Sequence, residues 1–345
     1  MAKARNSLLE QARRQKKDEF YTRLEDIERE LRHYEHHFKG KTVLCNCDDP
    51  RISNFFHYFS YKFEDLGLKR LITTCYKNQE RDLFSHNEAE RAIWLEYLGD
   101  KNCNRIPDPD EVGIRYFKGD GDFRSEECIE LLKQANIVVT NPPFSLFREY
   151  VAQLVKYDKK FLIIGNVNAL KYKEIFPLFM ANRMWLGASI HSGDREFGVP
   201  DNYPLYAAGC RVDEAGRKFI RVKGVRWFTN LDYPKRHEEL VLYRKYNASD
   251  YPIYVNYDGI EVSKTTDIPE DYDGKMGVPI TFMDKYNPEQ FEIIGMSLEL
   301  ADMSVIRERL GKNDGGPTFY IEKDGHLMRL YDRIVIRRRR QETVQ

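Results

Sequence analysis

The stretch Ala135-Asn136-Ile137-Val138-Val139-Thr140-Asn141-Pro142-Pro143-Phe144 decides how this chain is read. Its apolar, β-branched run is too short for a helix and is bounded at once by turn formers, which is the pattern of a strand buried inside a parallel sheet. Such a strand delivers Asn141, Pro142, Pro143 and Phe144 to its carboxyl end, where open α/β sheets place their ligands. The residue types suit one kind of chemistry. An exocyclic amine on a nucleobase shares its lone pair with the ring and is a poor nucleophile. Two acceptors aimed at its N–H groups, the Asn141 side-chain oxygen and the Pro142 carbonyl, would draw the nitrogen toward a tetrahedral shape and free that lone pair for a methyl group. The prolines stiffen the turn, and Phe144 offers a face for a planar base. Asn and Pro also end strands in plain turns. The preceding Ile-Val-Val-Thr and the following aromatic favour the functional reading.

Working outward, apolar runs at residues 42–46, 71–76, 113–117, 137–140 and 161–167 alternate with mixed segments. Helical patterns cover 53–63, 87–98 and 124–134. That alternation predicts crossover units and an α/β, Rossmann-like fold with a mostly parallel central sheet. Runs at 183–190, 218–222 and 225–229 are more antiparallel in character. After about Pro234 the composition shifts to tyrosines and turn signals such as Tyr257-Asp258-Gly259, so a boundary is expected there. A chain of 345 residues accommodates a catalytic unit with an appended module.

The 55 basic residues are balanced by 55 acidic ones, so attraction to a polyanion has to come from local clusters. Arg13, Arg14, Lys16 and Lys17 form one cluster, and Arg337, Arg338, Arg339 and Arg340 another; each is a solvated face or a phosphate-binding surface. Arg195, in the segment 191–198, either reaches DNA or belongs to a solvated hairpin. The six cysteines lack paired C-x-x-C spacing, which predicts reduced thiols and no metal. A charged beginning and the lack of a long apolar run predict a soluble, cytoplasmic protein without a membrane span.

Two loops are candidates for a donor site. The first strand runs into Cys45-Asn46-Cys47-Asp48-Asp49-Pro50, where a glycine-rich turn is usual; Asn46, Asp48 and Asp49 suit an amino group or ribose hydroxyl, or simply an Asx turn. The segment Gly119-Asp120-Gly121-Asp122-Phe123 sets an acid beside an aromatic, fit for gripping an adenine or for turning the chain.

These residues carry a resemblance. Phe20-Tyr21-Thr22 resembles the F-[YF]-T element that precedes the first strand of many adenine methyltransferases. Its order with the Cys-Asn-Cys-Asp-Asp-Pro loop, Gly-Asp-Gly-Asp-Phe and Asn-Pro-Pro-Phe is similar to the EcoRI-type adenine-N6 DNA modification methyltransferases. The stretches Ile72-Thr73-Thr74-Cys75-Tyr76-Lys77-Asn78-Gln79-Glu80-Arg81-Asp82 and Pro279-Ile280-Thr281-Phe282-Met283-Asp284-Lys285-Tyr286-Asn287-Pro288 extend it across most of the chain. The resemblance implies methyl transfer from S-adenosylmethionine to an adenine swung out of double-stranded DNA, as the protective half of a restriction-modification pair. It implies that Phe20, Tyr21 and Thr22 hold the methionine end, that Cys45, Asn46 and Asp48 make the first-loop contacts, and that Asp120, Asp122 and Phe123 hold the cofactor adenine. The implied organisation is a basic, helical segment 1–40, a catalytic domain 41–234 and a target-recognition region 235–345, working as a monomer. The second strand runs into Cys75-Tyr76-Lys77-Asn78 where an acid for the ribose is common, leaving Asp82 or Asp48 for that role. RNA or protein-glutamine methylation, and a DNA-binding homologue without catalysis, are the rival readings.

Overall fold

The computed structural model describes residues 20–47, 53–75, 92–102, 104, 107, 111–199, 209–311 and 316–339. Among the sequence candidates, Arg13, Arg14, Lys16, Lys17, Asp48, Asp49, Asp82 and Arg340 lie outside the described residues. The chain divides into two compact units: residues 1–177 with 184–232, and residues 178–183 with 233–345.

The first unit begins with a short strand β1 (Tyr21–Thr22) and helix α1 (Leu24–Leu31). β2 (Thr42–Asn46) leads to helix α2 (Asn54–Tyr61), and β3 (Arg70–Thr74) follows. The α2 start is fixed by Ser53, whose hydroxyl accepts from the Phe55 and Phe56 amides at 3.2 and 3.4 Å. Next come β4 (Ile93–Tyr97), β5 (Val112–Tyr116), helix α3 (Glu126–Gln134), β6 (Ile137–Thr140), helix α4 (Phe147–Lys156) and β7 (Lys160–Asn166). They are followed by β8 (Trp185–Leu186), β9 (Asp194–Val199), β10 (Arg211–Val212), β11 (Lys218–Lys223) and β12 (Val225–Thr229).

Eight of these strands form one sheet in the order β5-β4-β3-β2-β6-β7-β12-β8. Only β3-β2-β6-β7 run parallel; the pairings of β4 with β3 and β5, and of β12 with β7 and β8, are antiparallel. The expectation of a mostly parallel sheet is thereby corrected to a mixed one with a parallel centre. The cause is local. Residues 87–98 were expected to be helical, but Ile93, Leu95 and Tyr97 are buried while Trp94 and Glu96 are half-buried, a period of two. Glu96 is also ion-paired with Arg70 and, at 3.2 Å, with Arg115 on the two neighbouring strands. Because β4 and β5 each reverse direction, β5 again runs the same way as β3, and the Gly-Asp-Gly-Asp-Phe loop still emerges at the carboxyl edge of the parallel centre. Every residue of β2 and β6 is buried, as expected for strands covered on both faces.

The anticipated strand over 183–190 is likewise only two residues long. Beyond it the buried Glu30 carboxylate turns the chain, accepting from the Ala188 and Ser189 amides at 2.7 Å each and from the Tyr34 hydroxyl at 2.8 Å. A second, four-stranded sheet has the order β1-β9-β11-β10 and is antiparallel throughout.

The second unit holds β13 (Ile260–Glu261), β14 (Met276–Pro279), β15 (Phe291–Met296), the hairpin of β16 (Tyr320–Lys323) with β17 (His326–Arg329), and β18 (Arg333–Arg338). Its four-stranded sheet has the order β13-β14-β18-β15. A buried ion pair sits in it. Arg333 donates from Nε to both Glu261 oxygens, at 3.1 and 2.9 Å, and from a terminal nitrogen at 2.7 Å. Tyr254 and Ser263 hydroxyls donate to the same carboxylate at 2.7 and 3.0 Å. Removing one partner of such a pair strands the other charge in the interior. Glu261→Ala is expected to cost about 3–5 kcal/mol, measured as a lower urea midpoint with faster hydrogen exchange of the β14 and β18 amides.

Candidate active site

The site is built where β2, β3, β5 and β6 end. The apolar β6 finishes with Thr140, fully buried, whose hydroxyl donates to the Asn46 carbonyl at the end of β2 and so joins the two strand ends. One residue on, Asn141 is 5% exposed, and its Nδ2 donates to the Phe20 carbonyl at 2.7 Å. A carbonyl only accepts, so this bond fixes which end of the amide points where. Asn141 Oδ1 is left buried without a hydrogen-bond partner. An unsatisfied buried acceptor costs stability unless something else satisfies it, which makes this oxygen the most informative atom of the site. Beyond it, Pro142 is buried and Pro143 half-buried. The Pro143 carbonyl accepts from the Leu146 amide at 3.0 Å and starts the short 3-10 turn Phe144–Leu146. Phe144 is half-buried, with the Phe20 ring against it at 5.7 Å in an edge-to-face arrangement.

Phe20, Tyr21 and Thr22 thus meet the Asn-Pro-Pro-Phe turn, but not as one block. Strand alternation sends neighbours to opposite faces. Phe20 packs on Phe197 at 5.8 Å and Thr22 lies opposite Phe197 in the register, whereas Tyr21 pairs with Gly198 on the other face. The Thr22 hydroxyl is buried without a partner, and its carbonyl accepts from Asn54 Nδ2 at 2.7 Å.

In the first loop, Cys45 and Asn46 are buried. Cys47 adopts φ +74°, supplying with a non-glycine residue the left-handed turn that a glycine would otherwise make. The Asn46 side-chain oxygen accepts from the Tyr150 hydroxyl. Burial pushes the Tyr150 phenol well above its ordinary pKa, so it remains a donor. In the other loop, Asp120 accepts from the Asp122 amide at 3.0 Å. The Asp122 carboxylate is forked by Arg124, Nε at 2.9 Å and a terminal nitrogen at 2.7 Å. Phe123 is buried edge-on against Tyr150 at 5.1 Å, with the Arg124 guanidinium 5.3 Å from its ring centroid. Burial pushes the Cys128 thiol beneath this loop up to about 11, keeping it neutral, and it donates to the Gly121 carbonyl at 3.4 Å.

Tyr150, Asn54 and Phe197 escaped sequence reasoning. Tyr150 belongs to the apolar stripe Phe147, Tyr150, Val151 and Leu154 of α4, where it carries the stripe's one polar atom; that was the signal available. The basic residues at the end of β18 are partly engaged. Arg337 donates to Glu292 at 2.7 Å and Arg339 to the Pro288 carbonyl at 2.8 Å, while Arg338 is half-buried between them. Among the described residues no group of His, Cys, Asp or Glu is arranged to hold a metal, and no helix is long and apolar enough to cross a membrane.

A large mixed α/β sheet with an Asn-Pro-Pro-Phe turn at the carboxyl end of a central strand fits a methyltransferase fold. The particular family follows from comparison. Residues 8–339 match the family described as adenine-specific methyltransferase EcoRI, and the chain belongs to it. The Type II methyltransferase M.EcoRI of Escherichia coli is 53% identical over 293 residues, which cover 84% of this chain and 89% of that protein. M.MpnI of Mycoplasma pneumoniae is 39% identical over 287 residues, 82% of this chain and 83% of its own. M.MgeORF184P of Mycoplasma genitalium is 38% identical over 287 residues, 82% of this chain and 84% of its own. No solved structure matches the chain significantly.

Gly121 is the hinge of the second loop. It has φ +75°, and a Cβ there would lie 2.6 Å from the Cys75 carbonyl oxygen at the end of β3. Gly216 has a similar φ of +79° with nothing within 4 Å. Gly121→Ala is therefore expected to lower the melting temperature well beyond Gly216→Ala, which adds only backbone strain of about 1–3 kcal/mol.

Proposed function

We propose that this chain transfers a methyl group from S-adenosylmethionine to the exocyclic N6 of adenine in double-stranded DNA, as the modification half of a restriction-modification pair. The observation that carries the reading is the Asn141 amide, whose nitrogen is committed to the Phe20 carbonyl and whose oxygen is buried and unpartnered. The Type II methyltransferases among its relatives, and the family's adenine specificity, support the substrate.

In this reading the target adenine leaves the duplex at a cost of a few kcal/mol. It is held with its amine between Asn141 Oδ1 and the Pro142 carbonyl and with Phe144 against the ring. Both acceptors accept hydrogen bonds from the amine N–H groups, so the nitrogen lone pair turns out of the ring plane toward the incoming methyl. S-adenosylmethionine, when bound, would supply that methyl from its sulfonium, with the N–C bond forming as the C–S bond breaks and a neutral thioether left behind. The methylated amine then loses one proton to solvent. Thr22, with its unpartnered buried hydroxyl, and Asn46, fixed by Thr140 and Tyr150, are the residues of this chain that fit the polar methionine end of the donor. Asp120 and Phe123 flank its adenine, and Asp122 acts there through Arg124. Target recognition falls to the unit that begins at residue 233.

The test is transfer of labelled methyl to mixed duplex DNA, with RNA and protein offered in parallel, and mass-spectrometric mapping of the product. The native chain is expected to give N6-methyladenine, and Asn141→Ala to lower the rate about 100-fold or more with donor affinity retained. Methylated RNA or glutamine instead of DNA would overturn the substrate; donor binding without any transfer would favour a DNA-binding homologue that has lost catalysis.

A further inference from the structure

The sheet β1-β9-β11-β10 has one buried and one exposed face. Phe197, Val199 and Ile220 anchor the buried face, together with Thr22. On the exposed face three arginines from three separate segments converge on one carboxylate. Arg211 on β10 forks Glu196 on β9, with Nε at 2.7 Å and a terminal nitrogen at 2.6 Å. Its guanidinium also lies 4.4 Å from the Phe219 ring centroid. Arg221 on β11 stands directly across from Glu196 in the register. Arg23, just after β1, brings a terminal nitrogen to 3.7 Å from the same carboxylate. The Glu196 carboxyl is held below its ordinary range by the Arg211 hydrogen bonds first, and by the charges of Arg211, Arg23 and Arg221.

Arg23 also pairs with Glu25 at 2.5 Å, so three cations meet two anions and the cluster keeps one net positive charge, while the neighbouring Lys223 stands opposite Asp194 and cancels. Most surface ion pairs tie up their charges; this one holds Arg211 in place while the excess faces solvent, with the Arg211 and Arg23 side chains 47% and 43% exposed. A guanidinium already fixed by a carboxylate fork and an aromatic face loses little freedom when it meets a second anion. Tyr21 pairs with Gly198, which pairs with Phe219, so two aromatic residues border the cluster on the same face. Tyr21 in turn follows Phe20, whose carbonyl orients Asn141. The first of the exposed cations, Arg23, therefore lies three residues from the backbone group that orients the Asn141 amide. Arg195, which the sequence left open between a DNA contact and a solvated hairpin, lies on the opposite face across from Val222 and donates to the Asp194 carbonyl at 3.2 Å.

We propose that this exposed face, centred on Arg211 and Arg221, grips backbone phosphates of the DNA strand beside the swung-out adenine. The proposal rests on the DNA-methylation reading above. Guanidinium contacts to phosphate oxygens fix position without reading the bases, so the contribution of this surface is positional and independent of sequence.

The experiment measures affinity for duplexes of unrelated sequence across a range of salt concentrations. The native chain is compared with Arg221→Gln, which breaks no hydrogen bond described above, and with Arg211→Gln/Arg221→Gln; S-adenosylmethionine binding by calorimetry serves as the folding control. The slope of log affinity against log salt is expected to become shallower by about 1 for the single and about 2 for the double substitution, equally on every sequence, with donor affinity unchanged. A native chain that binds DNA and variants with an unchanged slope would overturn this proposal alone. A native chain that binds no duplex would remove the DNA reading and this proposal with it.

Discussion

The 2.7 Å hydrogen bond from Asn141 Nδ2 to the Phe20 carbonyl joins two segments 121 residues apart and sets the direction of the side chain on which the proposed chemistry turns. Everything else at the site holds its two ends in register. The Thr140 hydroxyl ties β6 to β2, and β1 is held in place by pairing with β9 and by Asn54 on the Thr22 carbonyl. The Phe20 ring bridges Phe144 and Phe197, so the same residue positions the amide through its backbone and the aromatic of the turn through its side chain. A buried acceptor without a partner is tolerated in native proteins mainly where a ligand is to satisfy it, and here the scaffold spends its donor capacity so that the acceptor stays open.

At the carboxyl edge of the parallel centre two described positions are tightly constrained. Gly121 packs against the end of β3 so closely that no side chain fits, and Cys47 makes a left-handed turn where a glycine would be the ordinary choice. Tyr150 reaches from α4 to brace Asn46 and meets Phe123 edge-on, linking both loops to the helix that follows the Asn-Pro-Pro-Phe turn. The loops are thereby coupled through buried aromatics instead of through a glycine-rich backbone, which is how the chain compensates for the missing glycines of its first loop.

Much of this was legible in the sequence because it rests on short-range patterns. The buried strands at 42–46 and 137–140 read directly from short, largely apolar runs, the second β-branched throughout, and the Ser53 and Ser125 caps mark helix starts by residue type. The Asn-Pro-Pro-Phe turn announced its place at the carboxyl end of a buried strand for the same reason. What escaped depends on pairing between distant segments. The period-two pattern at 93–97 is masked by its aromatic and acidic neighbours, and the backbone pairing with β3 and β5 that makes it a strand joins distant segments. That Tyr21 faces away from Phe20 and Thr22, and that Arg23, Arg211 and Arg221 gather on Glu196, follows from the register of β1, β9 and β11, which a single sequence does not display.

The most direct test of the central account is the single-turnover methylation rate of Asn141→Asp, measured alongside donor affinity. The aspartate keeps an acceptor oxygen but loses the N–H that meets the Phe20 carbonyl, and at neutral pH it sets a negative charge against that carbonyl's negative end. If the Phe20 bond is what aims the acceptor, the aspartate chain binds donor normally and transfers methyl as poorly as an alanine chain; a rate close to that of the native chain would show that an acceptor suffices and that the Phe20 bond does not govern the site.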